Sequence, residues 1–229
     1  MTRWLHMRLA APLMAFGGVA IDQVGPTRDL PAASALTGLL ANALGWHWRE
    51  RARHQALQDR LVFGALVTRP GRGVTDSQNA QLAKNDKGWT TWGTPEGRTG
   101  DSYNAPHRRR RDYIADGEVR VALRLEPAGT EPTLEQIAEA LDRPARPLFI
   151  GRKPCLPAAP LNAGWLEADS ALAALASLRE HIEPGGGKAL WPEGEGQEST
   201  ARTEARADLR NWQAGVHAGT RRVLTGEIG

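Results

Sequence analysis

A stretch of roughly 45 residues, from Arg69 to Asp116, carries no apolar period, and so long a patternless segment inside a compact chain is functional or unfolded. Regular patterns flank it on both sides. Ahead of it, Trp4, His6 and Arg8 alternate with Leu5, Met7 and Leu9, the period of a strand buried on one face. Ser34 is a capping residue type before Leu36, Leu39, Leu40, Ala43 and Leu44, an apolar stripe at helical spacing. Leu61 to Thr68 then reads as a core strand. Behind it, Val119, Val121, Leu123 and Leu125 alternate with Arg120, Ala122 and Arg124. Thr133 and Gln136 form a capping-box pattern for a short helix from Leu134 to Leu141, and Pro147 to Ile150 predicts a further strand.

The order is β-α-β, long insertion, β-α-β. This predicts an α+β chain of the ferredoxin-like class, which is also the scaffold of RNA-recognition domains. The expected division is a domain over 1–150, with the insertion at about 72–111, and a small C-terminal extension over 151–229. Within the extension, Ser170 to His181 reads as a helix, and 202–229 is basic with little periodicity.

Composition excludes several classes. A single cysteine, Cys155, rules out a disulfide framework and a multi-cysteine zinc site, and it suits a reducing cytoplasm. The longest apolar run, Leu9 to Ile21, contains Pro12, Gly17 and Gly18 and falls short of the roughly 18 residues a membrane span needs. The expectation is a cytoplasmic chain with no membrane partner. The formal net charge is only +3, so the clustering of basic residues carries more information than their number.

The densest cluster is Arg108, Arg109, Arg110 and Arg111, inside the insertion. From Lys84 to Arg111 seven basic residues face three acidic ones, with Trp89 and Trp92 beside them. Arginine pairs bidentately with phosphate and flat aromatics stack on exposed bases, so this segment suits a polyanion; a solvated charge run is the plainer alternative. Arg28, Arg69, Arg152 and Lys153 stand where connections leave the expected sheet and would line a loop-built groove. Signals of catalysis are poor. The six histidines lack metal spacing, no Gly-x-Ser-x-Gly or phosphate-loop motif occurs, and no cofactor is implied. Cys155 has no nameable partner, and His107 beside the four arginines is the best candidate for a general base.

Four ordered segments carry a family resemblance. Trp4 to Gly17 resembles a strand followed by an APLQSWG-type start. Pro26-Thr27-Arg28 with Ser34 to Leu40 resembles the loop that leads into the first helix. Arg111 to Asp116 resembles a return strand, and Phe149 to Pro157 with Pro160-Leu161 resembles a YLGRRSCP…PL segment. Together these resemble the CasD-type subunits of type I-E CRISPR Cascade, members of the repeat-associated (RAMP) RNA-binding superfamily. The likeness runs from residue 4 to about 165, with a weaker one over Asp208 to Arg222.

The resemblance implies a non-catalytic subunit that grips the 5′ handle of CRISPR RNA and joins the backbone subunits to the large subunit. Double-stranded target DNA is then read by guide pairing rather than by this chain. It implies that the insertion is a thumb hairpin, that Arg28 and Ser34 belong to the helix-entrance loop, and that Arg152 and Lys153 are the basic pair after the last strand. Gln81 is the nearest match to a thumb contact, without the aromatic the family carries beside it. Phe16 stands where the family commonly has Trp. The alternative is a metal-independent endoribonuclease, because C-subtype relatives cleave precursor RNA with tyrosine, lysine and histidine. Here the tyrosines are Tyr103 and Tyr113, and the first-helix region offers Trp46, His47 and Trp48 instead.

Overall fold

The computed structural model describes residues 1–20, 22–81, 83, 87–89, 95–97 and 106–229. Thirteen strands and four helices follow one another along them. The strands are β1 (Thr2–Ala10), β2 (Leu13–Met14), β3 (Val24–Gly25), β4 (Leu61–Arg69), β5 (Arg72–Ala80), β6 (Lys87–Trp89), β7 (Pro95–Gly97), β8 (His107–Ala115), β9 (Glu118–Leu125), β10 (Asn162–Ala168), β11 (Lys188–Pro192), β12 (Arg202–Arg206) and β13 (Arg221–Glu227). The helices are α1 (Ala33–Ala43), α2 (Arg51–Arg60), α3 (Leu134–Asp142) and α4 (Ala171–Ala176). None is long and apolar enough to cross a membrane.

Seven strands form the main sheet in the order β10-β1-β9-β4-β11-β13-β12, every neighbouring pair antiparallel. Register places Leu5, Leu123 and Phe63 side by side across β1, β9 and β4. That row faces α1, α2 and α3, whose Leu36, Leu40, Leu57, Ile137 and Leu141 complete the larger core. A second core lies on the opposite face. There Trp4, Ala122, Leu66 and Trp191 pack beneath Ala174 and Leu175 of α4. Gly64 permits this close seat, because a Cβ there would stand 2.9 Å from a Leu175 methyl. Burying each such side chain contributes about 1.5–3 kcal/mol, so the chain's stability resides in these two layers.

Four expectations need correcting. First, β1 is buried on both faces, since Trp4 and His6 lie beneath the second layer. Second, the fourth strand of the expected β-α-β-β-α-β order is not Pro147–Ile150, which is irregular backbone. The next strand along the chain is β10, which begins twelve residues later and lies at the edge of the sheet. Third, residues 151–229 do not sit apart, for they supply β10 to β13, four strands of the same sheet. Fourth, Ser34 does not cap α1; the N-cap position is Ala32, and Asp208 supplies the missing acceptor. The Thr133–Gln136 capping box is present in both its hydrogen bonds.

The patternless segment opens as a two-stranded ribbon. β5 pairs antiparallel with β8 over nine positions, from Arg72 opposite Ala115 to Ala80 opposite His107. β5 is exposed throughout, whereas β8 sinks into the protein at Tyr113, Ile114 and Ala115. On the other edge of β8, β2 pairs at Ile114 and Ala115 and β3 at Arg110 and Arg111, fixing the base of the ribbon. Beyond the two legs, Lys87–Trp89 pairs with Pro95–Gly97.

Candidate nucleic-acid interface

The groove forms where four segments meet at the first turn of α1: the loop 15–20, Arg28, the turn 151–152 and the tail 207–217. They enclose a cavity of about 570 Å³ lined by Phe16, Arg28, Ser34, Arg152, Arg210 and His217, among others. Gly151 makes the approach possible. Its φ is +94°, and a Cβ there would fall 1.5 Å from the Ala15 carbonyl oxygen, so only glycine fits.

The tail holds the groove open through a buried anion. The Asp208 carboxylate is fully buried and accepts from Arg221 Nε at 3.0 Å and Nη2 at 2.9 Å, and from the Ala33 amide at 3.3 Å. Its own carbonyl accepts from the Ser34 amide at 3.1 Å. A carboxylate at a helix N-terminus satisfies amides that the helix leaves unpaired and opposes the positive end of its dipole. Arg28 Nη2 reaches the Ala207 carbonyl at 2.8 Å, pinning the opposite bank.

Cationic groups then line the opening. Arg210 lies against His217 Nε2 at 3.3 Å and over the Trp212 ring at 5.1 Å, and its buried Nε has no hydrogen-bond partner among the described residues. Burial, then the Arg210 and Arg28 charges, lower the pKa of His217 and favour its neutral form. A phosphate brought into the groove would reverse the electrostatic part of that effect.

Arg152 forms a wall shared between groove and ribbon. Its guanidinium donates to the Asp112 carbonyl at 2.8 Å and the Gly25 carbonyl at 2.6 Å, and it covers the Tyr113 ring at 4.8 Å. From that junction β8 carries Arg108 to Arg111 outward, opposite Asn79, Gln78, Ser77 and Asp76. Alternation puts Arg109 and Arg111 on one face of the ribbon and Arg108 and Arg110 on the other. None of the four forms an ion pair among the described residues.

Three of the residues singled out in the sequence therefore meet in one groove: Arg28, Ser34 and Arg152. Lys153 is exposed beside it. Gln81 is exposed just past the end of β5, Trp89 ends β6, and Trp92 lies outside the described residues. Arg69 is a correction. It sits apart from the groove, held by the Asp116 carbonyl at 2.7 Å and the Glu183 carboxylate at 3.2 Å, near the small cavity of Asp29 and Lys188. Sequence reasoning missed Arg210, Trp212, His217 and Asp208. The isolated Trp212 in a polar, basic tail and the weak family likeness over Asp208 to Arg222 were their signals. Cys155 is fully buried, and burial raises its thiol pKa, the opposite of an activated nucleophile.

Comparison with known proteins gives the family. The sequence profile described as CRISPR-associated protein (Cas_Cas5) matches residues 4–224, nearly the whole chain. The chain belongs to this family. It is 28% identical over 187 residues to the CRISPR system Cascade subunit CasD of Escherichia coli (strain K12), covering 82% of this chain and 80% of that relative. Its fold is similar to a chain of a CRISPR RNA-guided surveillance complex, with a TM-score of 0.70 and 23% identity over 98% of this chain and 90% of the other. A second similar structure, described as a Cas protein, has a TM-score of 0.58 and 24% identity, covering 98% and 93%. The Cas_Cas5 match extends through the tail, so the residues that complete the groove lie within the family's own span.

Proposed function

We propose that this Cas_Cas5 chain is a non-catalytic subunit of a type I-E CRISPR Cascade complex that binds the 5′ handle of CRISPR RNA. In this reading it also links the backbone subunits to the large subunit, in the cytoplasm, without a cofactor. The observation that carries the reading is the convergence of Arg28, Ser34, Arg152 and Arg210 in one groove whose wall continues into the arginine-bearing leg β8. Guanidinium groups along a concave path suit a phosphodiester strand, and a hydroxyl at the first turn of α1 offers a ribose or phosphate partner.

Two structural features fit the same reading. Taking β1, β4, β9 and β10 as strands one to four, the sheet order is four-one-three-two, with α1 and α2 in the first crossover and α3 in the second. We read this as the ferredoxin-like arrangement. The β5–β8 ribbon is then the thumb, inserted between strands two and three. Cleavage is disfavoured on chemical grounds: Tyr113 is buried beneath Arg152, and His107 stands on the ribbon, away from the groove.

Incubating the purified chain with labelled repeat RNA, without metal, tests this. The expected result is binding that weakens steeply with salt, with a slope near −0.7 per phosphate contact on a single strand, and no cleavage. Co-expression with the other complex subunits should yield a stable guide-containing assembly. Site-specific cleavage lost on His107→Ala would overturn the reading in favour of an endoribonuclease.

A further inference from the structure

Beyond the far end of α1 the chain places two tryptophans in opposite environments. Gly45, at φ +77°, ends the helix, and Trp46 turns inward. Its ring meets His54 edge-on at 5.7 Å, and His54 lies against Trp212, a groove residue, at 4.8 Å. Two residues later Trp48 is 62% exposed. The guanidinium carbons of Arg49 and Arg51 lie 5.2 and 5.9 Å from its ring centre, and the His47 ring lies at 5.6 Å.

The surroundings of Trp48 are cationic. The single acidic residue between Trp46 and Gln58 is Glu50, which is engaged by Arg53 at 2.6 Å and by the His47 amide. Arg51 Nη1 also donates to the Gln213 carbonyl at 2.8 Å, which ties this patch to the tail one residue past Trp212. The tail thus runs from Asp208 at the start of α1 to Gln213 beside Arg51, bridging groove and patch along a helix about 16 Å long.

We propose that Trp48, Arg49 and Arg51 form a second single-stranded RNA contact, occupied by the strand that leaves the groove along the 207–217 tail. Trp48 stacks on a base, and the two arginines hold the adjoining phosphates. The proposal rests on the groove being the primary RNA site. An exposed indole flanked by two arginines that form no ion pair among the described residues matches what base stacking and phosphate contact need, and the charge complements a polyanion.

Anisotropy titrations of the full chain with labelled oligouridylates of about four and about twelve nucleotides test the proposal. Trp48→Ala is expected to weaken the longer RNA by about 5- to 20-fold and to leave the shorter one unchanged, with Trp48→Phe restoring most of the loss. Arg49→Gln with Arg51→Gln should flatten the salt slope for the longer RNA by about 1.4, two contacts at 0.7 each. Equal affinities of wild type and Trp48→Ala at both lengths would overturn the proposal. Unchanged RNA affinity together with loss of co-purifying complex subunits would also overturn it, assigning the patch to a protein partner. An equal loss at both lengths would overturn the two-site arrangement. The groove reading fails separately, if Arg28→Ala with Arg210→Ala leaves the shorter RNA unaffected.

Discussion

The groove and the ribbon are both rich in arginine, yet they use it differently. Around the groove, Arg152 is bound to backbone carbonyls, and Arg221 and Arg206 flank the buried carboxylate of Asp208. On the ribbon, Arg108 to Arg111 extend from a leg with little burial and no ion pairs among the described residues. A guanidinium offers five donors; those already occupied build the protein, and those left open are available to a ligand. By that measure Arg152 is chiefly the wall of the groove, Arg28 and Arg210 are its lining, and the ribbon arginines are the most available to phosphate.

Removing the buried anion should give the largest effect on stability. Asp208→Ala leaves Arg221 and Arg206 without their shared counter-charge and α1 without its acceptor, an expected loss of about 3–5 kcal/mol in denaturant unfolding. An unchanged unfolding midpoint would mean that the tail is not integral to the fold, and the contrast between the two regions would collapse.

Acid should weaken the body next. His6, on β1 opposite Ala122 of β9, is buried beside Arg120, and burial foremost, then the Arg120 charge, lowers its pKa to about 4. The unfolded chain binds this proton at about 6.5. The neutral folded form is therefore fully favoured above about pH 6.5, and stability declines as pH falls toward about 4, by about 3 kcal/mol at most. His217 adds a contribution of the same sign. Comparing melting curves of wild type and His6→Gln across pH 7 to 4 isolates the His6 part. Parallel pH profiles would remove it.

The ribbon should show the smallest change in stability with a large change in binding. Replacing Arg108 to Arg111 with alanine is expected to shift unfolding by within about 0.5 kcal/mol per residue. The RNA salt slope should flatten by up to about 2.8. A cooperative loss of folding would place these arginines on the structural side of the comparison.

How much of this was legible in the sequence depends on how local the cause is. The Thr133–Gln136 box and the strand pattern of Val119 to Leu125 are contained in a few residues, and both elements form, although this strand, like β1, is covered on both faces, with Ala122 in the second core. Ser34 looked like a cap because the true acceptor, Asp208, lies 175 residues from the amide it serves. Pro147–Ile150 is apolar like a strand, yet Ile150 is held by single bonds to Ala15 and Cys155 rather than by a ladder. The strand that takes its place, Asn162–Ala168, lies at a half-buried sheet edge and contains Gly164, so its alternation is faint. The groove was half visible. Arg28, Ser34 and Arg152 stand in recognisable segments, while Arg210 and His217 belong to a tail whose place is set only by tertiary contact.

The fixed base of the ribbon has a mechanical consequence. Nine paired residues make each leg about 30 Å long, anchored where β2, β3 and Arg152 grip β8. Such a ribbon is a lever with its fulcrum at the groove wall. From Asp112, which Arg152 grips, to His107 the leg reaches about 17 Å, so a tilt of about 5° there would carry the far end of the paired legs through about 1.5 Å, enough to make or break a hydrogen bond at the outer arginines.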